Sequence, residues 1–154
     1  MDASQLELKN QICFPFYSVS RLITKAYKPF LSQLGLTYPQ YLVLMVLWEA
    51  DGISVNQIKE KLLLDNNTLS PLLKRIEAMG LIKRLRSTTD ERSVIVSLTE
   101  KGEKLKVQAL PIPGKMLESL STDGIEIDEI AGLRKMLNTW MKILSKNNNQ
   151  NENK

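Results

Sequence analysis

The feature that most constrains the fold is a helical stretch followed by two short basic strands, all within residues 68–97. The helical half carries apolar residues at helical spacing, which predict one buried face: Leu69, Leu72, Leu73, Ile76 and Met79. Gly80 ends this helix. Residues 82–86 and 93–97 then read as strands, and the polar segment between them predicts a turn. A helix followed by a basic hairpin is the arrangement of a winged helix-turn-helix.

The positive charge of the chain is concentrated in the same region. The formal net charge is +4, and residues 74–106 hold nine basic and five acidic side chains. Residues 1–73 and residues 107–154 each carry no net charge, since each segment holds six basic and six acidic side chains. A charge run is ordinarily a solvated surface, but its coincidence with a helix and hairpin favours binding to nucleic acid.

The composition argues against several classes of function. The chain has 154 residues, which is enough for one well-cored domain. It lacks an apolar run of transmembrane length and a signal-peptide pattern, so we expect a cytoplasmic protein with no membrane partner. It has one cysteine and no histidine, which removes the usual residues of zinc sites and histidine-based catalysis. We therefore expect no enzyme, no metal and no cofactor.

Helices are predicted on the N-terminal side of the basic region. An amphipathic stretch predicts a helix from about residue 8 to residue 34, and Pro15 implies that it starts near Phe14 or bends there. The apolar run 40–50 predicts a buried central helix. Residues 55–62 predict a short helix, with Ser54 as its cap.

A tight polar turn joins that short helix to the helix that opens the basic region. We expect this second helix to begin at Thr68 and to be capped by Asp65 or Asn67. Two short helices joined in this way are the helix-turn-helix pattern, and the second is then the recognition helix.

Further helices are predicted on the C-terminal side. Thr99 caps a helix over residues 100–110, and Pro111-Ile112-Pro113-Gly114 breaks it. The helix resumes over residues 116–120, and a final helix spans residues 127 to about 144. The polar tail 147–154 is expected to be disordered.

These elements make one subunit of the α+β class, mainly α with a small β wing. Residues 35–106 form the winged helix-turn-helix region, whereas residues 8–34 and 107–146 form a helical dimerisation region. The flanking helices carry large apolar residues without an evident partner in the module, so we expect an intertwined homodimer. The two recognition helices of such a dimer would suit a pseudo-palindromic site in double-stranded DNA, whose half-sites lie one helical turn of the DNA apart. The alternative is a monomer whose terminal helices pack on its own core.

The single cysteine lies near the start of the first helix. Fourteen residues separate Cys13 from Tyr27, so the two share a helix face but lie about 21 Å apart along a continuous helix. They can meet only between subunits, through an antiparallel partner helix. If the helix starts near Phe14, Cys13 lies at the positive end of the helix dipole. By composition alone, however, a lone cysteine is more often a small buried apolar residue.

Four segments resemble the MarR family of winged-helix repressors: Leu36-Thr37-Tyr38-Pro39-Gln40-Tyr41, Leu69-Ser70-Pro71-Leu72-Leu73-Lys74-Arg75, Asp90-Glu91-Arg92 and Leu98-Thr99-Glu100-Lys101-Gly102. Three more are similar to the organic-hydroperoxide sensors of that family, called OhrR: Asn10-Gln11-Ile12-Cys13-Phe14, Tyr27-Lys28-Pro29 and Ile112-Pro113-Gly114. The resemblance covers roughly residues 8–145. Pro15 and Asn66-Asn67 depart from the usual pattern.

The resemblance implies a repressor that releases its operator when an organic hydroperoxide oxidises Cys13. It also implies that Tyr27 and Tyr38 of the other subunit hydrogen-bond to the sulfur, with Tyr17 close by. Without a second cysteine, the oxidised sulfur would go on to a mixed disulfide with a low-molecular-weight thiol, a sulfenamide or over-oxidation.

The expected contacts to DNA come first from the recognition helix and its entrance. Asp65 and Asn66 stand at the entrance, and Arg75 is placed to reach the backbone. The side chains expected to face the major groove or its phosphates are Thr68, Ser70 and Lys74.

The hairpin is expected to supply a second set of contacts. Arg92 lies near the hairpin tip and is placed for a minor groove, with Asp90 orienting it. Arg84 and Arg86 would serve phosphates or brace the wing.

Two other functions stay open. One is a MarR-type regulator released by a small aromatic or phenolic ligand bound between the dimerisation and DNA-binding regions. The other is a thiol peroxidase, against which stands the lack of a resolving cysteine and of histidine.

Overall fold

The computed structural model describes residues 3–88, 90, 92–122 and 124–151. Over these residues the chain is mainly helical, with a small antiparallel sheet that forms the wing, in agreement with the predicted class. The α-helices are α1 Cys13–Gln33, α2 Tyr38–Glu49, α3 Val55–Leu62, α4 Asn66–Ala78, α5 Glu100–Ala109, α6 Ile112–Thr122 and α7 Ile127–Asn151. The strands are β1 Ile53–Ser54, β2 Ile82–Arg86 and β3 Val94–Leu98.

The wing is a three-stranded sheet in the order β1-β3-β2. The hairpin strands β2 and β3 pair from Ile82 opposite Leu98 to Arg86 opposite Val94, and β3 begins one residue later than predicted. The strand β1 was not predicted, because two residues are too few to show a strand periodicity. It adds to the sheet where Ile53 pairs with Val96, just before α3.

Helix α1 starts at Cys13, which agrees with the first of the two alternatives that Pro15 allowed, a start near Phe14 rather than a bend. Pro15 is the third residue of the helix, where a missing amide hydrogen costs nothing. The residues before it do not extend the helix but include a short 3-10 turn over Leu8–Asn10. Cys13 therefore lies in the first turn of α1.

Helix α2 is the core of the subunit, as its apolar sequence predicts. Val43, Leu44 and Leu47 are almost completely buried. The helix starts two residues before the predicted Gln40, because Thr37 and Gln40 form a capping box around its first turn. No single helix of the described chain is long and apolar enough to cross a membrane, although α1 and α2 meet that test together as a pair bent by 72°.

The helix-turn-helix follows the predicted pattern. Helix α3 spans the predicted residues and is capped by Ser54, whose hydroxyl accepts a hydrogen bond from the amide of Gln57 at 3.2 Å. Helix α4 begins at Asn66, two residues before the predicted Thr68, because Asp65 caps it. The apolar face predicted for α4 is largely buried, which fixes its other face toward solvent.

The C-terminal helices differ from the prediction at two places. The break after α5 is narrower than expected, since α6 already starts at Ile112 and takes Pro113 into its first turn, where proline is tolerated. Helix α7 continues to Asn151, about two turns beyond the predicted end at Leu144. The tail predicted as disordered from residue 147 is thus helical as far as residue 151, because no proline or glycine interrupts it. Residues 152–154 lie outside the described residues.

The buried core and the exposed apolar surface lie in different parts of the chain. The main cluster of buried side chains runs from Leu31 at the end of α1 to Ile112 at the start of α6. The terminal helices, in contrast, expose many large apolar side chains: Phe14, Val19, Leu22, Leu117, Leu133, Met136, Trp140, Met141, Ile143 and Leu144. Within one chain, Phe16 of α1 and Trp140 of α7 pack with ring centroids 5.2 Å apart and the ring planes inclined by 56°.

Candidate nucleic-acid interface and cysteine site

The entrance to α4 is built around the side chain of Asp65. Its Oδ1 accepts a hydrogen bond from the amide of Thr68 at 2.6 Å, and this bond holds the pKa of Asp65 below its usual value. The carboxylate therefore fixes the start of the helix. The other predicted side chains of this region are exposed along α4: Asn66, Thr68, Ser70, Lys74 and Arg75.

Arg84 of β2 is bound to Glu77, near the C-terminal end of α4. The Glu77 carboxylate accepts hydrogen bonds from Arg84 Nε at 2.9 Å, from Nη2 at 2.5 Å and from the backbone amide at 3.1 Å. These bonds hold the pKa of Glu77 below its usual value. Of the two roles expected for Arg84, this geometry favours the brace.

Asp90 makes the hydrogen bonds that connect the described residues near the tip of the wing. Asp90 Oδ1 accepts a hydrogen bond from the amide of Arg92 at 3.1 Å, so Asp90 orients the turn rather than the guanidinium group. The carbonyl of Asp90 accepts the amide of Ser93 at 2.9 Å. Thr89 and Glu91 lie outside the described residues. Arg92 and Arg86 are exposed.

A crevice of about 250 Å³ separates the recognition helix from the wing. It brings together three of the predicted residues, namely Ser70 from α4 and Arg84 and Arg92 from the hairpin. Asn56, in the first turn of α3, also lines it and was not predicted from the sequence. Residues of α3, α4 and the hairpin therefore line one crevice that contains two guanidinium groups.

Cys13 is a free, exposed cysteine. In the described part of the single chain it has no hydrogen bond to a tyrosine, and Tyr27 lies on the same helix fourteen residues away. Tyr17, also exposed, accepts a hydrogen bond from Arg21 Nη1 at 3.1 Å. The helix thus keeps the sulfur apart from Tyr27 within one subunit, whereas Tyr17 lies one turn away on the same helix.

The tyrosines of α1 and α2 form a cluster of their own. The rings of Tyr27 and Tyr38 have centroids 4.9 Å apart, and Tyr41 lies 6.2 Å from the first and 6.5 Å from the second. Burial raises the pKa of each of these three phenols. Tyr41 was not predicted as part of this group, because its place in an apolar helix indicates a core residue, and its side chain is indeed 3% exposed.

The tyrosine cluster is connected through α2 to the base of the wing. The ring of Tyr41 lies 6.1 Å from that of Trp48, and Trp48 Nε1 donates a hydrogen bond to the carbonyl of Gly102 at 3.0 Å. Gly102 in turn packs on the backbone of Leu81, directly before β2. An edge-to-face aromatic contact, one hydrogen bond and one close backbone contact therefore connect Tyr41 to the base of the wing.

Among the described residues, no group of three or more aspartate, glutamate, cysteine or histidine side chains is placed to hold a metal ion.

The chain is similar to known transcriptional regulators over most of its length. The family described as "Transcriptional regulator SarA/Rot" matches residues 25–109. The organic hydroperoxide resistance transcriptional regulator of Bacillus subtilis is 46% identical over 143 residues, which cover 93% of this chain and 95% of that protein.

Solved structures of related proteins show the same fold. Reduced AbfR bound to DNA is 38% identical, with a TM-score of 0.76, over 94% of this chain and 99% of that chain. AbfR is a protein of Staphylococcus epidermidis. Wild-type MarR from E. coli, in its apo form, is 25% identical with a TM-score of 0.68, over 84% of this chain and 96% of that chain. The chain therefore belongs to the MarR family of winged-helix transcriptional regulators and resembles the organic hydroperoxide resistance regulators.

Proposed function

We propose that this chain is a DNA-binding transcriptional repressor that senses organic hydroperoxides through oxidation of Cys13 and then releases its operator. One observation carries the proposal. Cys13 is an exposed thiol in the first turn of a helix, in a winged-helix chain that is 46% identical to a regulator of organic hydroperoxide resistance. As part of the same proposal, the protein acts in the cytoplasm, where a DNA-binding regulator meets its operator.

The sensing site forms between two subunits. Along α1, Cys13 and Tyr27 are too far apart to touch, so an antiparallel partner helix has to bring them together. The apolar side chains exposed on α1, α6 and α7 supply the surface for such a homodimer. In the dimer, Tyr27 and Tyr38 of one subunit donate hydrogen bonds to the sulfur of the other, with Tyr17 close by.

The chemistry requires a thiolate, because the thiolate is the nucleophile toward a peroxide. Phenol donors and the positive end of α1 both stabilise negative charge on the sulfur. The sulfur attacks the terminal oxygen of the hydroperoxide, the O–O bond breaks, and the alkoxide leaves and takes up a proton. Cys13 becomes a sulfenic acid, which a low-molecular-weight thiol can convert to a mixed disulfide with loss of water. The chain acts once per oxidation and is not a turnover enzyme.

The DNA-binding surface consists of α4 and the wing. The side chains assigned to it are Asp65, Asn66, Thr68, Ser70, Lys74, Arg75, Arg84, Arg86, Asp90 and Arg92. Asp65 acts as the helix cap, and Arg84 acts as the brace. The exposed cations supply the phosphate contacts on a pseudo-palindromic duplex, while Ser70 and Arg92 flank the crevice between helix and wing.

The test is the response of the Cys13→Ser variant to an organic hydroperoxide. Reduced wild-type protein binds a DNA fragment selected for affinity, and cumene hydroperoxide lowers that affinity roughly ten- to hundredfold. Cys13→Ser binds the same fragment and does not respond, whereas the matched variant Ser18→Ala responds like the wild type. Release of DNA by oxidised Cys13→Ser would show that another group senses the peroxide.

A further inference from the structure

Gln40, in the first turn of α2, is buried more deeply than a capping residue needs to be. Its side chain is 7% exposed, and among the serine, threonine, asparagine, glutamine and charged side chains that the structure describes, it alone is buried. The capping box uses only its amide oxygen, because Oε1 accepts the backbone amide of Thr37 at 2.8 Å. The cap therefore does not explain the donor half of this side chain.

Gln57 shows how a glutamine behaves when it serves as a cap alone. It occupies the same position in the capping box of α3, where its Oε1 accepts the amide of Ser54 at 2.8 Å. The side chain is exposed, and its Nε2 has no hydrogen-bond partner among the described residues. Of these two capping boxes, the one at Gln40 is thus the one that reaches into the interior.

The donor of Gln40 points to the end of the recognition helix. Its Nε2 donates a hydrogen bond to Sδ of Met79 at 3.7 Å. Met79 is the C-cap of α4 and lies thirty-nine positions further along the chain. A thioether is a weak acceptor, but a buried amide without any partner would be more costly. The contact is therefore a specific link between the start of α2 and the end of α4.

Helix α5 holds the same end of α4 by backbone contacts. The carbonyl of Met79 accepts a hydrogen bond from Lys101 Nζ at 2.8 Å, and the carbonyl of Gly80 accepts one from the hydroxyl of Thr99 at 2.7 Å. Both of these acceptors are stronger than a thioether. A small movement of α2 would therefore open the long bond from Gln40 first and leave the bonds to α5 in place.

The capping box also connects Gln40 to the sensing tyrosines. Thr37 and Gln40 enclose Tyr38, which is one of the phenols proposed to donate to the sulfur of the partner subunit. Because the box fixes the backbone on both sides of Tyr38, a displacement of this phenol carries Gln40 with it. Tyr41, the next residue after Gln40, belongs to the same cluster of rings.

We propose that Gln40 is the positioning residue that transmits oxidation of Cys13 to the recognition helix, through its hydrogen bond to Met79. The inference rests on the proposed function, since it concerns the regulation of the same site. In the reduced protein, the bond holds the end of α4 in the orientation that fits the operator. When the phenols lose their bonds to the thiolate, the start of α2 shifts, the bond to the sulfur of Met79 opens, and α4 leaves that orientation.

The experiment measures the ratio of the DNA affinities of the reduced and the oxidised protein. Each variant is titrated into a duplex selected for affinity, before and after cumene hydroperoxide, and mass spectrometry confirms that Cys13 is oxidised. Met79→Leu conserves volume and removes the acceptor. Its affinity in the reduced form is expected to fall roughly threefold, while that of the oxidised form stays unchanged, so the ratio falls by the same factor. In Met79→Gln an amide oxygen replaces the sulfur as acceptor, and the ratio is restored.

Gln57 supplies the matched control. Gln40→Glu and Gln57→Glu each keep an oxygen for the capping box and remove the amide donor. Gln40→Glu should lower the affinity ratio. Gln57→Glu adds the same charge at the exposed cap of α3, so it weakens both redox forms alike and keeps the ratio. Thermal unfolding checks the fold of each variant; if the buried charge prevents Gln40→Glu from folding, the two Met79 variants carry the test.

Hydrogen exchange is a readout that a purely structural role would not change. The amides of Met79, Gly80 and Leu81 form the hydrogen bonds that close the end of α4. In the wild type, oxidation of Cys13 is expected to speed their exchange. In Met79→Leu these amides, including that of the new leucine, already exchange at the faster rate in the reduced protein, and oxidation adds nothing.

Three results would overturn the proposal while leaving hydroperoxide sensing intact. They are an unchanged affinity ratio in Met79→Leu, an equal loss of the ratio in Gln57→Glu and Gln40→Glu, and wild-type exchange at the end of α4 that does not respond to oxidation. An equal loss in Met79→Leu and Met79→Gln would also overturn it, since packing rather than the hydrogen bond would then be responsible. If oxidation of Cys13 does not lower the affinity of the wild type for DNA, the proposed function itself fails.

Discussion

Gly102 sets how closely α5 approaches the base of the wing. A Cβ at this position would overlap the carbonyl oxygen of Leu81 and lie 3.1 Å from Leu98 Cδ2. Because the obstacle is backbone, it cannot turn away, and Gly102→Ala is expected to lower the free energy of unfolding by roughly 3 kcal/mol. Chemical denaturation measures this loss. The neighbouring exposed variant Glu103→Ala serves as the control and should be nearly neutral; an equally mild Gly102→Ala would refute the close contact.

The buried phenols make the free energy of unfolding fall at alkaline pH. The pKa values of Tyr27, Tyr38 and Tyr41 are raised above the ordinary tyrosine value of 10.0, first by burial and, for Tyr27 and Tyr41, also by neighbouring phenolates. A raised pKa means that the folded state keeps its protons longer than the unfolded state. The corresponding stability is fully present below pH 10 and is lost as the pH rises from there through the raised pKa values of the folded state.

The pH prediction can be checked with one substitution. Tyr41→Phe removes one of the three high-pKa groups, so its free energy of unfolding should fall less steeply above pH 10 than that of the wild type. A phenolate absorbance titration of native protein should show these groups ionising later than in denatured protein. Coincident native and denatured titrations would contradict the prediction.

At the scale of elements, the contact between Glu77 and Arg84 joins the recognition helix to the wing. If Arg84 bound a phosphate, removal of the nearby Glu77 carboxylate would strengthen binding to DNA. If Arg84 braces the wing, Glu77→Gln and Arg84→Gln should both weaken binding by a similar factor, roughly three- to tenfold. The opposite sign expected for Glu77→Gln makes the two roles distinguishable.

The salt dependence of DNA binding is a second test of whether Arg84 contacts a phosphate or braces the wing. Loss of a phosphate contact reduces the slope of log affinity against log salt by about 0.9. The brace predicts an unchanged slope for Arg84→Gln, whereas Lys74→Gln on the exposed face of α4 should reduce it. A reduced slope for Arg84→Gln would assign the guanidinium to a phosphate.

The low pKa of Glu77 makes the contact between Glu77 and Arg84 depend on acidic pH. The stability that this contact contributes is fully present above the ordinary glutamate pKa and is lost as the pH falls through the lowered value.

The elements were predictable where periodicity and capping agree. Ser54 and Thr99 fix the starts of α3 and α5, and the predicted starts were confirmed. The two-residue β1 gave no such signal. The polar residues at the end of α7 have no apolar periodicity of their own and were therefore predicted to be disordered. They are helical because an existing helix is extended more easily than a new one is started.

The candidate site was predictable in its residue types more than in its geometry. The sequence placed Cys13 near a helix start, but the grouping of Tyr41 with Tyr27 and Tyr38 depends on how α2 crosses α1. Likewise, Glu77 is seven residues from Arg84 and belongs to another element, so only the fold reveals their contact.

At the scale of the whole molecule, the exposed apolar side chains of α1 and α7 imply a dimer. Sedimentation equilibrium should give twice the subunit mass of 17.5 kDa. A charge within this surface, as in Leu133→Glu, should shift the protein toward monomer, because an unpaired carboxylate would be buried in the interface.

A matched variant controls for the added charge. Leu85 is also an exposed leucine, but it lies on the wing rather than on a terminal helix. Leu85→Glu should leave the mass unchanged. If both variants remain dimers, the subunits associate through another surface.

The strand order of the wing has a consequence for solubility. Strand β2 stands at one edge of the sheet, where backbone groups can template pairing with another chain. Glu77 already accepts the amide of Arg84 at this edge, and the exposed cations Lys83 and Arg86 repel a second copy of the strand. Of these two cations, Arg86 is among the residues proposed to contact the duplex, so DNA bound there would cover part of the same edge when it neutralises that charge.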